Sequence, residues 1–164
     1  MADRVIHVGC VTMEQRMIGW RIGWIVSPPD IADDMARAHI FNGLTAGGIA
    51  QAGALAAIQA PPDDLAAAVA EWERRRNAML DQLEGLPAVR PAGGWSMLMD
   101  AEALGVSPAD LSRALVEQKV AATPMTTWGE RVSPRYIRFV YSNEPVGRLS
   151  DFGNRLRAAL HQLS

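Results

Sequence analysis

The stretch that decides the fold lies near the start of the chain, where residues 10–24 read CVTMEQRMIGWRIGW. A run rich in β-branched residues leads into it at residues 4–11 (RVIHVGCV), and residues 21–27 (RIGWIVS) carry the chain out of it to a pair of prolines. Short runs of this composition, bounded by glycine or proline, are typical of strands. We therefore expect two buried strands, with residues 10–24 joining them.

Helical patterns follow the proline pair. Residues 29–41 have acidic side chains in the first turn, and residues 45–60 are rich in alanine, so each segment favours a helix. Pro61 and Pro62 are predicted to start a third helix, because proline suits the first turn. Its apolar residues recur at spacings of three and four. These residues are Leu65, Val69, Trp72, Met79, Leu83 and Leu86.

The rest of the chain mixes strands and helices. Ser107 followed by Pro108 is a helix-start signal and predicts a helix over residues 107–118. The predicted strands lie near Val89 and at residues 95–100, 120–122 and 136–141, with Gly93 and Gly94 in a turn. A final amphipathic helix is predicted from one apolar face, formed by Val146, Leu149, Phe152, Leu156, Leu160 and Leu163. The fold class is therefore α/β or α+β.

Composition excludes several functions. The chain has 164 residues, 49% of them hydrophobic, and its 16 basic and 18 acidic residues give a net charge of -2. This balance gives no basic patch for nucleic acid, and no apolar run is long enough to cross a membrane. The first ten residues do not follow the signal-peptide pattern, so we expect a cytoplasmic protein. The single cysteine, Cys10, and three scattered histidines predict neither a disulfide nor a metal site.

Lysine is nearly absent from this sequence. Fifteen of the 16 basic residues are arginine, and Lys119 is the only lysine. An arginine keeps its charge in proteins, whereas a lysine can lose its proton and form a Schiff base. Only one side chain is therefore available for amine chemistry, and it lies at the predicted end of a surface helix.

Residues 10–24 resemble the segment that follows the cofactor lysine in class I and II aminotransferases, the fold-type I enzymes that use pyridoxal phosphate. Gly19, Trp20, Arg21 and Gly23 match the family's Gly-Trp-Arg-x-Gly pattern. The resemblance places Arg21 at the arginine that binds the cofactor phosphate. A guanidinium is chemically suited to that role, because it forms paired, charge-assisted hydrogen bonds with phosphate.

Three later segments extend the resemblance over the whole chain. Residues 91–100 (PAGGWSMLMD) and 121–130 (AATPMTTWGE) look like small-domain segments of the family. Residues 136–144 (YIRFVYSNE) are similar to the strand whose arginine holds the substrate α-carboxylate, and Arg138 takes that position. The resemblance implies the last strands of the large domain in residues 1–60 and the C-terminal α+β small domain in residues 61–164.

The chain also departs from the family. Counting back from Arg21, the family lysine falls on Met13, whose thioether can neither form an imine nor transfer a proton. The family's enzymes are also much longer, and the phosphate-binding loop, the ring-stacking aromatic residue and the Asp beside the pyridine nitrogen belong to the part not matched. The two strands would then lack their sheet neighbours. We expect self-association, a complementary partner chain, or stable folding of the C-terminal portion alone.

Two functions remain open at this point. The first is an aminotransferase-like chain that acts on an amino acid or keto acid with pyridoxal phosphate and needs a partner chain. The second is a non-catalytic interaction subunit in which Arg21 and Arg138 form structural ion pairs. The two arginines favour the first function and Met13 favours the second, while a truncated product without an independent role is a third possibility.

Overall fold

The structure, a computed structural model, describes residues 4–61 and 64–164. It divides into two compact units, Met1–Asp63 and Asp64–Ser164, which are called the N-terminal unit and the C-terminal unit below. Strands and helices alternate irregularly along the chain, which makes the fold a mixed α/β one.

The described residues of the N-terminal unit form one strand pair, three α-helices and a 3₁₀ turn. Its elements are β1 (His7–Cys10), α1 (Val11–Glu14), a 3₁₀ turn (Ile18–Trp20), β2 (Gly23–Val26), α2 (Pro29–Gly43) and α3 (Gly48–Gln59). The strands β1 and β2 are antiparallel, with His7 opposite Val26 and Cys10 opposite Gly23. The segment of residues 10–24 thus forms a hairpin whose connection holds a short helix and a 3₁₀ turn.

Both predicted strands form, but the prediction that they are buried is wrong for the described chain. Val8 is 71% exposed on β1, and Ile25 and Val26 are 56% and 60% exposed on β2. No other strand among the described residues pairs with this hairpin, and these apolar side chains remain more than half exposed. The second strand is also shorter than predicted, because Arg21 lies before it in a left-handed backbone conformation.

The helices of the N-terminal unit follow the sequence signals closely. The helix α2 starts at Pro29 as expected, and α3 starts at Gly48, three residues later than predicted. Of the proline pair predicted to start the third helix, Pro62 lies outside the described residues. That third helix, α4 (Leu65–Leu80), starts after Asp64, whose backbone is left-handed.

The C-terminal unit is an antiparallel sheet packed on helices. Besides α4 it holds β3 (Ala88–Val89), β4 (Ser96–Asp100), α5 (Pro108–Glu117), β5 (Thr123–Pro124), β6 (Tyr136–Val140), α6 (Val146–Leu149) and α7 (Phe152–His161). The strand order is β3-β4-β6-β5. Alternate residues of β4 and β6 are buried in one core with residues of α5 and α7. That core includes Met97, Met99, Leu111, Leu115, Ile137, Phe139, Phe152 and Leu156.

The helix α5 has the cap that the sequence predicts. The Asp110 backbone N–H donates to Ser107 Oγ at 3.1 Å, and Pro108 occupies the first turn. Beyond its end, the Val120 N–H donates to the Leu115 carbonyl at 2.9 Å, and Ser112 Oγ donates to the Ala122 carbonyl at 2.8 Å. These bonds tie the segment to α5, so the strand predicted at residues 120–122 does not form.

The predicted final helix is divided in two, and Gln82, which follows α4, is hydrogen-bonded to both parts. Gln82 Nε2 donates to the Leu149 carbonyl at 2.6 Å, and Gln82 Oε1 accepts from the Gly153 N–H at 2.9 Å. These bonds satisfy backbone groups at the end of α6 and the start of α7. Since α4 ends at Leu80, Leu83 and Leu86 follow the helix instead of extending it.

Within residues 4–61 and 64–164, no helix combines the length and the apolar character that a membrane span requires.

Candidate functional site

The first candidate region is the connection between β1 and β2. Val11 is fully buried at the start of α1, and its N–H donates to the Ile22 carbonyl at 3.2 Å. The Met17 N–H returns to the Val11 carbonyl, also at 3.2 Å. The chain therefore folds back on itself around Val11. Met13, the residue predicted at the lysine position, lies on α1 with 51% of its surface exposed.

Arg21 occupies an unusual backbone position at the end of this connection. Its φ of 56° and ψ of 42° are left-handed, a conformation that is uncommon for residues other than glycine and recurs at functional sites. The side chain is exposed, and Nη1 donates to the Ile18 carbonyl at 3.0 Å. No carboxylate within the described residues forms an ion pair with it. Most of its N–H donors are thus available to an anion.

Packing of the neighbouring Trp20 holds the backbone in place just before Arg21. A Cβ placed on Gly53 of α3 would lie within 3.0 Å of three ring carbons of Trp20. The Trp20 indole therefore lies directly on the glycine, which is the only residue type that leaves room for it. Sequence reasoning identified Trp20 as part of the motif but missed Gly53, because nothing in the pattern links α3 to residues 10–24.

The second candidate region surrounds Arg138 on β6. Its neighbours across the sheet are Leu98 on β4 and Thr123 on β5, neither of which carries a charge. The guanidinium carbon lies 5.1 Å from the centroid of the Trp95 ring and 4.6 Å from that of Trp128. The Nε atom is buried and has no hydrogen-bond acceptor among the described residues. Within the part of the chain that the structure describes, no acid forms an ion pair with Arg138.

Both tryptophans are held by backbone hydrogen bonds. The Trp95 carbonyl accepts from the Tyr141 N–H at 3.2 Å, and the Trp128 N–H donates to the Met125 carbonyl at 3.1 Å. Trp95 comes from the β4 side of β6 and Trp128 from the β5 side, so they reach Arg138 from opposite neighbours. Both lie in segments that the sequence singled out, yet only the sheet shows that they flank one arginine.

Lys119 belongs to a different surface of the C-terminal unit. It follows α5 with a φ of 62° and lines a cleft of about 370 Å³ together with Phe139, Arg148 and Arg155. Both arginines pair with an acid four residues earlier in the sequence. The cleft is not lined by Arg138, Trp95 or Trp128, which separates Lys119 from the Arg138 site.

The predicted residues are thus divided between the units. Met13 and Arg21 belong to the N-terminal unit, and Arg138 belongs to the C-terminal unit. No group of three potential metal ligands occurs among the residues that the structure describes. What the two regions share is an arginine that carries several unused donors and no acidic partner, which is the chemistry of an anion site.

Comparison with known proteins gives these arginines a context. The family model described as aminotransferase class I and II matches residues 14–150. A probable N-acetyl-LL-diaminopimelate aminotransferase of Bacillus subtilis is 28% identical over 176 residues, covering 100% of this chain and 44% of that protein. A probable aspartate aminotransferase of Methanocaldococcus jannaschii is 28% identical over 149 residues, covering 87% of this chain and 39% of that protein.

Solved structures agree with the sequence match. The aromatic aminotransferase of Pyrococcus horikoshii aligns with a TM-score of 0.84 at 25% identity, covering 99% of this chain and 44% of the other. A Thermus thermophilus aspartate aminotransferase mutant complexed with tryptophan aligns with a TM-score of 0.77 at 26% identity, covering 99% and 41%. The chain therefore spans less than half the length of the proteins it matches.

Proposed function

Because the chain belongs to the class I and II aminotransferases, we propose that it provides two anion-binding residues for pyridoxal phosphate-dependent amino-group transfer. Arg21 binds the cofactor phosphate, and Arg138 binds the α-carboxylate of an amino acid or keto acid. The N-terminal unit corresponds to the last part of the large domain, and the C-terminal unit to the small domain. The observation that carries the proposal is the Arg138 guanidinium, which is half-buried and has no acid beside it.

The residues present fit part of the cofactor and its substrate. The family normally uses pyridoxal phosphate, which when bound withdraws electrons from the α-carbon of the amino acid. The exposed donors of Arg21 suit a phosphate, and the unpaired donors of Arg138 suit a carboxylate. Fixing the carboxylate orients the α-carbon, which is the positioning that such chemistry requires.

Met13 limits the chemistry that this chain can carry out with its own residues. If it occupies the lysine position, its Sδ atom cannot take up or release a proton at the α-carbon, and the sequence has only one lysine, Lys119. The described part of the chain then binds and orients ligands but lacks the group that moves the proton. We propose that a lysine and the remaining cofactor contacts come from other polypeptide, as residues joined to this chain or as a partner.

Cofactor titration of the purified chain tests the Arg21 assignment. We expect saturable changes in the absorbance of pyridoxal phosphate and quenching of tryptophan fluorescence, both weakened at least tenfold in Arg21→Ala. Arg37→Ala, which removes an exposed arginine from α2, is the matched control and keeps wild-type affinity. Lys119→Arg removes the only lysine side chain that reacts with the aldehyde. Binding that persists in Arg21→Ala but disappears in Lys119→Arg contradicts the assignment.

Met13→Lys tests the lysine position directly. With an amine placed on α1, bound cofactor is expected to show a new, pH-dependent absorbance that Met13→Arg does not produce. Both variants add a cation of similar length, so charge alone cannot explain a difference between them. If Met13→Lys behaves like Met13→Arg in the presence of cofactor, Met13 is not beside the cofactor aldehyde.

A second function, a non-catalytic subunit that acts through assembly, is favoured by the exposed apolar side chains of the N-terminal unit. Phe41 is 89% exposed, Ile49 88%, Leu44 74% and Val8 71%. Large exposed apolar groups of this kind are typical of interaction surfaces. We propose that a second copy or a complementary chain covers them, and expect Phe41→Asp to lower the apparent mass in light scattering. A wild-type monomer whose β1 and β2 amides resist hydrogen exchange would exclude this proposal.

A further inference from the structure

We infer that Trp95 and Trp128 are positioning residues that hold the Arg138 guanidinium unbonded and open to a carboxylate through its terminal nitrogens. This inference rests on the proposed function and deepens it, since it names the groups that prepare the carboxylate site and the direction from which the ligand arrives.

The cross-strand neighbours of Arg138 explain why such a device is needed. Its direct partners across the sheet, Leu98 and Thr123, offer no negative charge. Arg135, just before the same strand, shows the alternative, because it forms an ion pair with Asp100 of β4. The N–H donors of an arginine paired in that way are bonded within the protein. Those of Arg138 are not, and a half-buried cation without an acid needs another source of stabilisation.

The two indole rings supply that stabilisation without using a donor. An aromatic face attracts a cation through its quadrupole, and the Arg138 guanidinium carbon lies within 5.1 Å of both ring centroids. Neither ring provides a lone pair in the plane of the guanidinium, so the N–H groups stay free of strong acceptors. The charge is thus partly compensated in the ligand-free protein, while the hydrogen bonds remain available for the ligand.

Burial of Nε sets the direction of approach. This atom has almost no contact with solvent and no acceptor, so a ligand cannot reach the edge formed by Nε and one terminal nitrogen. The remaining edge is the pair of terminal nitrogens, which matches the two oxygens of a carboxylate. A planar carboxylate bound end-on between two indoles is the ligand that this geometry selects.

Hexanoate is a suitable probe, with hexanamide as its neutral counterpart of similar shape. Binding to the full chain is followed by side-chain ¹⁵N–¹H spectra, in which the Arg138 Nε–H signal is assigned by its loss in Arg138→Lys. Ring currents from both tryptophans are expected to displace this signal and the Arg138 Cδ protons. We expect Trp128→Leu and Trp95→Leu each to move these signals and to weaken hexanoate binding about fivefold.

Conservative and distant replacements separate positioning from general stability. Trp128→Phe keeps an aromatic face and is expected to retain affinity within about twofold of the wild type. Trp24→Leu removes a half-buried tryptophan from β2 of the N-terminal unit and is expected to change neither the Arg138 signals nor hexanoate affinity. Trp128 is 55% exposed, so we expect Trp128→Leu to fold. This variant tests the positioning role even if Trp95→Leu unfolds.

The outcomes distinguish this inference from the function on which it rests. If wild type fails to bind hexanoate in preference to hexanamide, or Arg138→Ala binds it equally well, both the carboxylate site and the inference fall. If Arg138→Ala loses binding while Trp128→Leu keeps both its affinity and its Arg138 signals, the carboxylate site stands and only the positioning role is overturned.

Discussion

The two units differ in how much of their apolar surface they bury. The C-terminal unit buries a continuous core between its sheet and helices α5 and α7. In the N-terminal unit Val11 and Ala54 are buried, but Val8, Ile25 and Phe41 lie exposed. Hydrophobic stabilisation scales with the area removed from water, so the C-terminal unit has the means to fold on its own. The N-terminal unit has regular elements without the core that normally accompanies them.

The same contrast separates the two arginines. Arg138 is held on a strand inside a sheet and flanked by two indoles. Arg21 is exposed, and its position depends on a left-handed residue and on Trp20 lying against Gly53. We therefore expect carboxylate binding at Arg138 to tolerate substitutions elsewhere in the chain. Phosphate binding at Arg21 is expected to depend on whether another polypeptide covers the N-terminal unit.

The largest predicted effect is a difference in the free energy of unfolding between two phenylalanine variants, one in each unit. Phe139 is 2% exposed and makes an edge-to-face contact with Phe152, with ring centroids 4.9 Å apart, whereas Phe41 is 89% exposed. We expect Phe139→Ala to lower the free energy of unfolding by about 3–5 kcal/mol, because it leaves a cavity in the core. Phe41→Ala is expected to change it by less than about 0.5 kcal/mol. Urea unfolding of both variants measures the difference.

This pair is a direct test of the contrast between the units. Both substitutions remove the same atoms, and the different propensities of alanine for a helix and a strand contribute only about 1 kcal/mol, so a larger difference reports burial. A large loss of stability in Phe41→Ala would show that the N-terminal helices are covered in solution, for instance by a second copy, and the loss would then depend on protein concentration.

Gly53→Ala is expected to have the next largest effect. A methyl group there collides with the Trp20 ring, and overpacking of this kind costs about 1–3 kcal/mol. The added alanine favours the helix, so the net loss is smaller than the clash alone. We expect faster hydrogen exchange in α3 and weaker Arg21-dependent binding of pyridoxal phosphate, while Arg138 keeps its hexanoate affinity.

Gly43→Ala is the matched control for that prediction. Gly43 lies in the last turn of α2, and a Cβ there meets no atom within 4 Å. The variant is expected to bind cofactor as the wild type does. Equal weakening of cofactor binding in both glycine variants would mean that helix stability, and not the position of Trp20 on Gly53, controls cofactor binding by Arg21.

Sequence patterns predicted the local features of this fold better than its tertiary ones. The cap at Ser107 and the start of α2 at Pro29 depend on neighbouring residues alone, and both are confirmed. The strand at residues 120–122 and the unbroken final helix are wrong, because the side chains of Ser112 and Gln82 donate hydrogen bonds to the backbone of these segments from other parts of the unit. Such bonds override local propensity and leave no periodic signal.

The candidate site shows the same limit. Resemblance located Arg21 and Arg138, but their roles stay predictions, and it gave no sign of the partners that surround them. Trp95 and Trp128 come together only through the order of β4, β6 and β5, and the sequence does not reveal that order. The left-handed conformation of Arg21 was equally hidden, since only glycine signals that backbone region reliably.

A smaller effect is predicted for the cap of α5. The Ser107 hydroxyl accepts from the Asp110 N–H at 3.1 Å, so Ser107→Ala leaves that donor without its protein partner. Loss of such a cap costs about 1 kcal/mol. Urea unfolding should show this loss in the C-terminal unit. Ser107→Asn restores an acceptor and is expected to recover most of it, whereas equal losses in both variants would contradict the assignment of a cap.

The last prediction concerns the acid response of the C-terminal unit. Arg135 donates a hydrogen bond to the Asp100 carboxylate, and the Ala103 N–H donates to Oδ1 of the same group at 3.1 Å. These bonds, that of Arg135 above all, hold the Asp100 pKa below its usual value. The folded state therefore keeps Asp100 ionised at a pH where the unfolded chain takes up a proton, so the stabilisation is present above the unfolded pKa of about 3.9 and is lost as the pH falls below it.

Replacing Asp100 should flatten this response without abolishing the fold. We expect the Tm of Asp100→Asn to fall less steeply than that of the wild type as the pH is lowered through about 4. Asp81→Asn removes an exposed carboxylate beyond α4 that forms no ion pair with described residues, and should keep the wild-type slope. The effect is the smallest of the series because Arg135 is partly exposed and solvent screens the pair. Equal slopes in Asp100→Asn and wild type would show that the ion pair contributes nothing to the stability of the sheet, which then rests on its apolar core alone.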